Sequence, residues 1–183
     1  MKLSDDVYDK NSNKLIASLI GVFCGIAIAY LASHNLDAAY IFFGILIGSA
    51  MSLKIDGIPH LITFTVFWVF FIIWNFGGAY LAGFSLITLA ICTMAAFIDE
   101  IGNDNSKIYE KSNFLKTFFD YRFTMKIIIL ILALLGLYQS FTGFSIPYIE
   151  FLNIWTFVYF LFFEIFYVLA EFVFNRHFSN NGL

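Results

Sequence analysis

The sequence predicts an all-α membrane protein: a polytopic bundle of six transmembrane helices with both termini in the cytoplasm. Three observations predict this class, namely the composition, the length of the uncharged runs and the placement of the basic residues. Of the 183 residues, 61% are hydrophobic and 13% are charged, whereas a soluble domain has about 45–50% apolar and about 25% charged residues. The net charge of -3 gives no basic surface for nucleic acid. The apolar runs are continuous rather than alternating, which excludes a transmembrane β-barrel.

The first two predicted spans occupy residues 15–33 and 38–53, and both runs are uncharged. A hydrocarbon core about 30 Å thick requires about 20 helical residues, so the second run is on the short side. The polar stretch His34-Asn35-Leu36-Asp37 separates the two runs. We therefore expect a helical hairpin with a very short turn.

The next uncharged segment, residues 57–98, predicts a second hairpin because it is 42 residues long. As one straight helix this segment would extend about 63 Å, twice the thickness of the bilayer core. The only turn-like cluster near its middle is Asn75-Phe76-Gly77-Gly78. The third and fourth spans are accordingly predicted at residues 58–74 and 79–98.

The last two predicted spans are residues 123–141 and 151–174, which a turn at residues 142–147 connects. Six spans result, all within one integral membrane domain that covers residues 1–183. Because six is an even number, the two termini lie on the same side of the membrane.

The loop at residues 99–122 is long enough to contain structure of its own. Apolar residues recur in it at roughly helical spacing between charged ones: Ile108, Leu115, Phe118 and Phe119. This pattern is typical of a helix that lies in the headgroup region. A solvated loop with scattered apolar residues is the alternative.

The basic residues provide an independent test of this topology. The termini, the loops after spans 2 and 4 and the first turn of span 5 hold every Lys and Arg, and the three opposite loops hold none. Cytoplasmic loops carry an excess of Lys and Arg, so we expect a multi-pass protein of the cell membrane with cytoplasmic N- and C-termini. The ten residues are Lys2, Lys10, Lys14, Lys54, Lys107, Lys111, Lys116, Arg122, Lys126 and Arg176.

Two pairs of glycines predict close helix packing. Gly21 and Gly25 lie one helical turn apart in span 1, and Gly44 and Gly48 do so in span 2. Such pairs allow two helix backbones to approach closely. We expect contact between spans 1 and 2 of the same chain, with contact between subunits as the alternative.

The sixth span carries a polar face that is the strongest functional signal. Its polar residues fall within an arc of about 80° at 100° per residue: Asn153, Thr156, Glu164, Tyr167 and Glu171. Glu164 is expected near the bilayer centre, where a carboxylate costs at least about 3 kcal/mol. These five residues are the predicted substrate path, and the alternative is a Glu that only bonds to a neighbouring helix.

A second signal is a set of ligand-type residues at the cytoplasmic helix ends. The set comprises Asp56, His60, Asp99, Glu100 and Asp104. Carboxylates with His suit a divalent metal, and a metal beside Arg or Lys suits a phosphate group. The predicted cofactor is therefore a divalent metal, and ordinary solvated helix ends are the alternative.

Three functions agree with these features. The first is a transporter or channel with a polar path along span 6 centred on Glu164. The second is a membrane-embedded, metal-dependent enzyme that acts on a lipid phosphate or ester at the cytoplasmic leaflet. The third is an accessory or assembly subunit of a membrane complex. The expected partners are the lipid bilayer and either a second copy of the chain or another membrane protein.

Overall fold

The computed structural model describes residues 14–53, 57–76, 83–105 and 112–178, and all regular structure in these ranges is helical. The prediction of an all-α chain is thus confirmed for the described residues. Seven helices occur there: α1 (Lys14–His34), α2 (Leu36–Met51), α3 (Ile58–Trp74), α4 (Leu86–Asp104), α5 (Asn113–Asp120), α6 (Phe123–Thr142) and α7 (Ile154–Phe178).

Three of these helices, α1, α4 and α6, are long and apolar enough to cross a membrane by length and composition. The helices α2 and α3 and the Ile154–Ala170 part of α7 are also apolar, but each has fewer than 18 residues. The bounds of α1, α2, α3 and α6 lie within two residues of the predicted spans.

The first four helices form two parallel pairs. In the first pair, Thr63 Oγ1 of α3 donates to the carbonyl oxygen of Gly21 in α1 at 3.1 Å. Toward the other end of both helices, Asn75 Nδ2 donates to Ser33 Oγ at 2.9 Å. Because both contacts advance in the same direction along the chain, α1 and α3 run parallel, with Asn75 at the C-cap of α3.

The glycines of span 2 join α2 to α4 in the same way. A Cβ added to Gly44 would lie 2.9 Å from Cβ of Cys92, and one added to Gly48 would lie 2.8 Å from Cβ of Ala96. These distances are shorter than real Cβ contacts, so only glycine permits this approach. The helices α2 and α4 are therefore parallel and in backbone contact.

The expected contact between the glycines of spans 1 and 2 is wrong, although the glycines do pack within the chain. Gly25 contacts Thr63 and Val66 of α3, whereas Gly48 contacts α4. The turn between α1 and α2 is very short, with Asn35 capping α2 by accepting a bond from the Ala38 N–H. The closest backbone approach is instead made between helices that are two apart in sequence.

The helices α6 and α7 pack antiparallel, but α7 begins well inside the bundle. The carbonyl of Leu152 lies against Gly136, where an added Cβ would overlap that oxygen. Gly136 precedes the last residue of α6 by six positions, which is about 9 Å along the axis. The connection between α6 and α7 therefore folds back into the protein, and Leu152 is only 1% exposed.

Side chains of α4 satisfy the backbone of this inserted connection. Ser85 Oγ donates to the carbonyl of Tyr148. Thr88 Oγ1 donates to the carbonyl of Glu150 and accepts from the Glu150 N–H, both at 2.9 Å. Buried non-helical backbone requires such partners, because an unpaired peptide group away from water is costly.

The bounds of α4 differ from the predicted span at 79–98. Ser85 caps the helix by accepting a bond from the Thr88 N–H at 3.1 Å, and residues 79–82 lie outside the described ranges. The helix continues through Asp99 and Glu100 to Asp104. The prediction used only the absence of charged residues, and it therefore placed this helix several residues too early.

The helix α5 lies in the loop for which a helix was predicted. The Phe119 ring lies directly on Gly102 of α4, where an added Cβ would overlap the ring. Phe118 stacks on Phe123 with ring centroids 5.6 Å apart, and Phe114 is exposed. These contacts attach α5 to the ends of α4 and α6, while Ile108 lies outside the described residues.

We expect Gly48→Ala to lower the stability of the purified protein by about 1–3 kcal/mol, because the new methyl group would overlap Cβ of Ala96 and the Phe97 nitrogen. Thermal unfolding in detergent measures this change. Gly83→Ala is the matched control, since the nearest atom to its added Cβ is 3.9 Å away. Equal stability of the two variants would contradict the close packing of α2 on α4.

Candidate functional site

Five charged side chains meet where α4 ends, α6 begins and α7 passes. We call this group the charge cluster: Asp99 and Glu100 from α4, Arg122 and Lys126 from the start of α6, and Glu164 from α7. The sequence predicted Asp99 and Glu164 in two separate sites. The structure brings them into one site.

Asp99 provides the cap that α6 lacks. Its Oδ1 accepts from the Thr124 N–H at 3.0 Å and its Oδ2 accepts from the Met125 N–H at 2.8 Å. The residue at the N-cap position is Arg122, which has left-handed backbone angles and makes no side-chain cap. A carboxylate at a helix N-terminus satisfies unpaired N–H groups and complements the helix dipole. Asp99 is 1% exposed, so this bond is shielded from water.

Arg122 forms the first of two ion pairs in the charge cluster. Its Nη2 lies 2.9 Å from Glu100 Oε1, and its guanidinium lies 5.4 Å from the centroid of the Tyr167 ring. Burial lowers the pKa of Arg122, but Tyr167, Glu100 and the other carboxylates raise it more, so the net direction is upward. The guanidinium therefore remains charged.

Lys126 and Glu164 form the second ion pair. Lys126 Nζ lies 3.0 Å from Glu164 Oε2, donates to the carbonyl of Tyr121 and lies 5.2 Å from the centroid of the Phe123 ring. Glu164 is 8% exposed. It lies level with the first turn of α6, and therefore at the end of the bundle where α6 begins rather than midway along it. The expected position near the bilayer centre stays a prediction.

A small cavity adjoins the charge cluster. Its volume is about 10 Å³, which is close to the minimum for one water molecule. Polar and apolar side chains line it: Ile45, Ala96, Asp99, Glu100, Arg122, Met125, Phe160 and Glu164. Asp99 and Glu164 thus border the same small space.

A second polar group lies at the other end of α7. Asp37 of α2 accepts from the Asn153 N–H at 2.8 Å and from Thr156 Oγ1 at 2.6 Å. Asn153 precedes α7 and caps it, because its side chain accepts from the Trp155 N–H. We call Asp37, Asn153 and Thr156 the outer polar group.

Phe160 separates the outer polar group from the charge cluster. It lies one helical turn from Thr156 and one from Glu164, on the same face of α7, and is 5% exposed. The predicted polar path along span 6 is therefore interrupted by a buried aromatic ring. In this conformation the two polar groups are not connected.

The remaining predicted residues are distributed as follows. Tyr167 joins the charge cluster through Arg122, whereas Asp56 and the side chain of Glu171 lie outside the described part of the protein. His60 lies in the first turn of α3, and Asp104 is exposed at the last residue of α4. Neither lines the cavity.

The predicted metal site finds little support in this geometry. Among the described residues, no three His, Cys, Asp or Glu side chains are placed to share a metal ion. Asp99 bonds to peptide N–H groups and Glu100 to Arg122. These carboxylates act as acceptors for nitrogen donors.

Sequence reasoning missed the role of Lys126 as the partner of Glu164. One signal was present, because Lys126 is the only charged residue within the predicted span at 123–141. A Lys and a Glu in two adjacent apolar helices are expected to pair. Asp37 was treated as part of a turn, and no local pattern linked it to Thr156.

No protein-family model, curated protein or solved structure matches this chain. Its function is therefore inferred from the charge cluster and the fold around it.

A double-mutant cycle should detect the ion pair between Lys126 and Glu164. We expect Lys126→Met and Glu164→Leu each to destabilise the protein by about 3–5 kcal/mol, because each leaves one buried charge without its partner. The double variant should lose much less than the sum of the two single losses. Chemical unfolding in detergent measures all three.

Lys116→Met is the control for this cycle, since Lys116 is exposed on α5. A surface substitution of this kind usually changes stability by about 0.5 kcal/mol or less. Additive losses for Lys126→Met and Glu164→Leu would show that the two side chains do not interact.

Proposed function

We propose that this protein is a six-span integral membrane protein of the cell membrane that acts as a carrier for a small polar or ionic solute, with the charge cluster as its binding site. The observation that carries the proposal is that three acidic side chains and Arg122 line one small cavity inside an otherwise apolar bundle, with Lys126 paired to one of the acids. Charges in such a bundle are costly and mark ion or solute pathways by default.

The outer surface of the bundle supports insertion in a membrane. Large apolar side chains are exposed on every long helix, for example Phe23 of α1, Leu86 of α4 and Phe141 of α6. A soluble monomer rarely exposes apolar surface so extensively. Lipid tails are the solvent that matches these side chains.

The direction of the helices supports six spans. The helices α1 and α3 run parallel, as do α2 and α4, and α6 is antiparallel to α7. At the end of the bundle where α6 begins lie Lys14, Lys116, Arg122 and Lys126, and the opposite end has no described Lys or Arg. By the positive-inside rule this basic end faces the cytoplasm, together with both termini.

A carrier fits the geometry better than an open channel does. Phe160 separates the outer polar group from the charge cluster, and the cavity holds about one water. The small cavity and the Phe160 ring leave no continuous polar path along α7, so passage of a solute requires helix movement. Movement of α7 against α2 and α6 would expose either group without unfolding the bundle.

The two other hypotheses receive less support. An accessory subunit was expected to pair Glu164 with a group on another protein, but Lys126 of the same chain occupies that role. A metal-dependent enzyme requires carboxylates that are available to a cation, whereas Asp99 and Glu100 face nitrogen donors.

Single cysteines should reveal the topology. In a chain with Cys24→Ser and Cys92→Ala, we expect His34→Cys to react with a membrane-impermeant maleimide on intact cells. Asn113→Cys should react only after the membrane is permeabilised, because α5 lies at the basic end. Both positions are exposed, so accessibility within the protein does not differ. Labelling of both on intact cells would contradict the six-span topology.

The rate at which the protein carries solute across a proteoliposome membrane should depend on Glu164. We expect wild-type protein to carry at least one of the protons, sodium, potassium, chloride or small amino acids that are offered in turn. Glu164→Gln should reduce that flux by about tenfold or more, which corresponds to about 1.4 kcal/mol in the barrier. Glu150→Gln is the control, because the Glu150 side chain is exposed and only its backbone bonds to Thr88. Equal flux in wild type and Glu164→Gln would refute the proposal.

A further inference from the structure

The charge cluster contains one more acid than bases. Within the described residues its two ion pairs join Arg122 to Glu100 and Lys126 to Glu164. Asp99 belongs to neither pair, and its two oxygens accept from the Thr124 and Met125 N–H groups of α6. The formal charge of these five side chains is accordingly -1, and Asp99 is the acid among them that forms no ion pair with another described residue.

The surroundings of Asp99 leave room for a proton. Each of its two oxygens accepts a bond from a peptide N–H, and a carboxylate has about four lone-pair positions. The titratable groups that line the cavity with it are Glu100 on its own helix, Arg122 at the start of α6 and Glu164 on α7. Behind them, Lys126 pairs with Glu164 and the Tyr167 ring contacts Arg122. The helix α2 contributes only the apolar Ile45 to the shared cavity.

The volume of the cavity and the groups that line it restrict which ligand can bind there. A volume of about 10 Å³ accommodates about one water molecule. Metal cations are bound by several oxygen ligands, but both oxygens of Asp99 already face N–H donors. A proton delivered through one water adds the missing positive charge without enlarging the cavity.

We propose that Asp99 is the proton-binding group of the charge cluster and that the proton is the coupling ion of this protein, an inference whose place in transport rests on the proposed carrier function. The proton passes from a hydronium ion at the basic end to one Asp99 oxygen. An O–H bond forms at Asp99, one O–H bond of the hydronium breaks, and water is released. The cluster changes from -1 to neutral.

Protonation of Asp99 weakens the attachment of α6. Hydrogen bonds from N–H groups to a carboxylate are about twice as strong as those to a neutral acceptor. The bonds to Thr124 and Met125 therefore lose strength when Asp99 is neutral. These residues belong to the same turn as Lys126, which holds Glu164, so proton binding at Asp99 loosens the ion pair to α7.

Infrared spectroscopy of the full-length protein in lipid tests this proposal without any solute. We expect lowering the pH to produce the carbonyl stretch of a buried protonated carboxyl group, and isotope-labelled aspartate to shift it, whereas labelled glutamate should not. This measurement uses wild-type protein and does not depend on a variant that folds. A band that shifts only with labelled glutamate, or no band at all, would overturn the proposal.

Variants assign the band to one residue. Asp99→Asn should abolish it, and Asp120→Asn on exposed α5 should leave it unchanged. Persistence of the band in Asp99→Asn would exclude Asp99 as the proton-binding group.

The proton site and the carrier function can fail independently. If the band is assigned to Asp99 but Glu164→Gln leaves every flux unchanged, the proton site stands and the carrier function fails. If solute flux depends on Glu164 but no aspartate band occurs, the carrier function stands and the proton site fails.

Discussion

The bond between Asp99 and the first peptide groups of α6 is the contact on which the site depends. It crosses from α4 to α6 and fixes the register at which Arg122 and Lys126 meet their partners. A comparable bond lies at the other end, where Asp37 of α2 holds the start of α7 through the Asn153 N–H and the Thr156 hydroxyl. Each of the last two long helices thus begins on a carboxylate that an earlier helix provides.

These two bonds determine how the polar residues of α7 are used. The register that Asp37 sets places Thr156 beside α2, Phe160 in the core and Glu164 beside Lys126. Burying an unpaired charge costs several kcal/mol, whereas paired charges with further hydrogen bonds approximately compensate that cost. The free-energy cost of burying the five charges of the charge cluster is therefore confined to one small region of the bundle.

Much of the fold follows from composition, while the site follows from contacts that no local pattern encodes. The helix predicted at residues 58–74 has those same bounds in the structure. A proline in its first turn marks its start, and the polar turn at Asn75 marks its end. The start of α4 depended on the Ser85 cap, which a count of charges ignores. The polar face of α7 was visible in the sequence, but its interruption by Phe160 was not, since phenylalanine on a polar face has no signature of its own. The glycine pairs indicated close packing and left the choice of partner open, because any small-residue stripe accepts several neighbours.

The inserted connection before α7 also bears on how the protein is made. Its backbone is bonded by Ser85 and Thr88, and the start of α7 by Asp37, so every one of these partners is synthesised earlier in the chain. Domains of a growing chain generally assemble from the N-terminus onward. The helices α1 to α4 can therefore pack together before α6 and α7 are synthesised. The last two helices then pack against a bundle that is already formed.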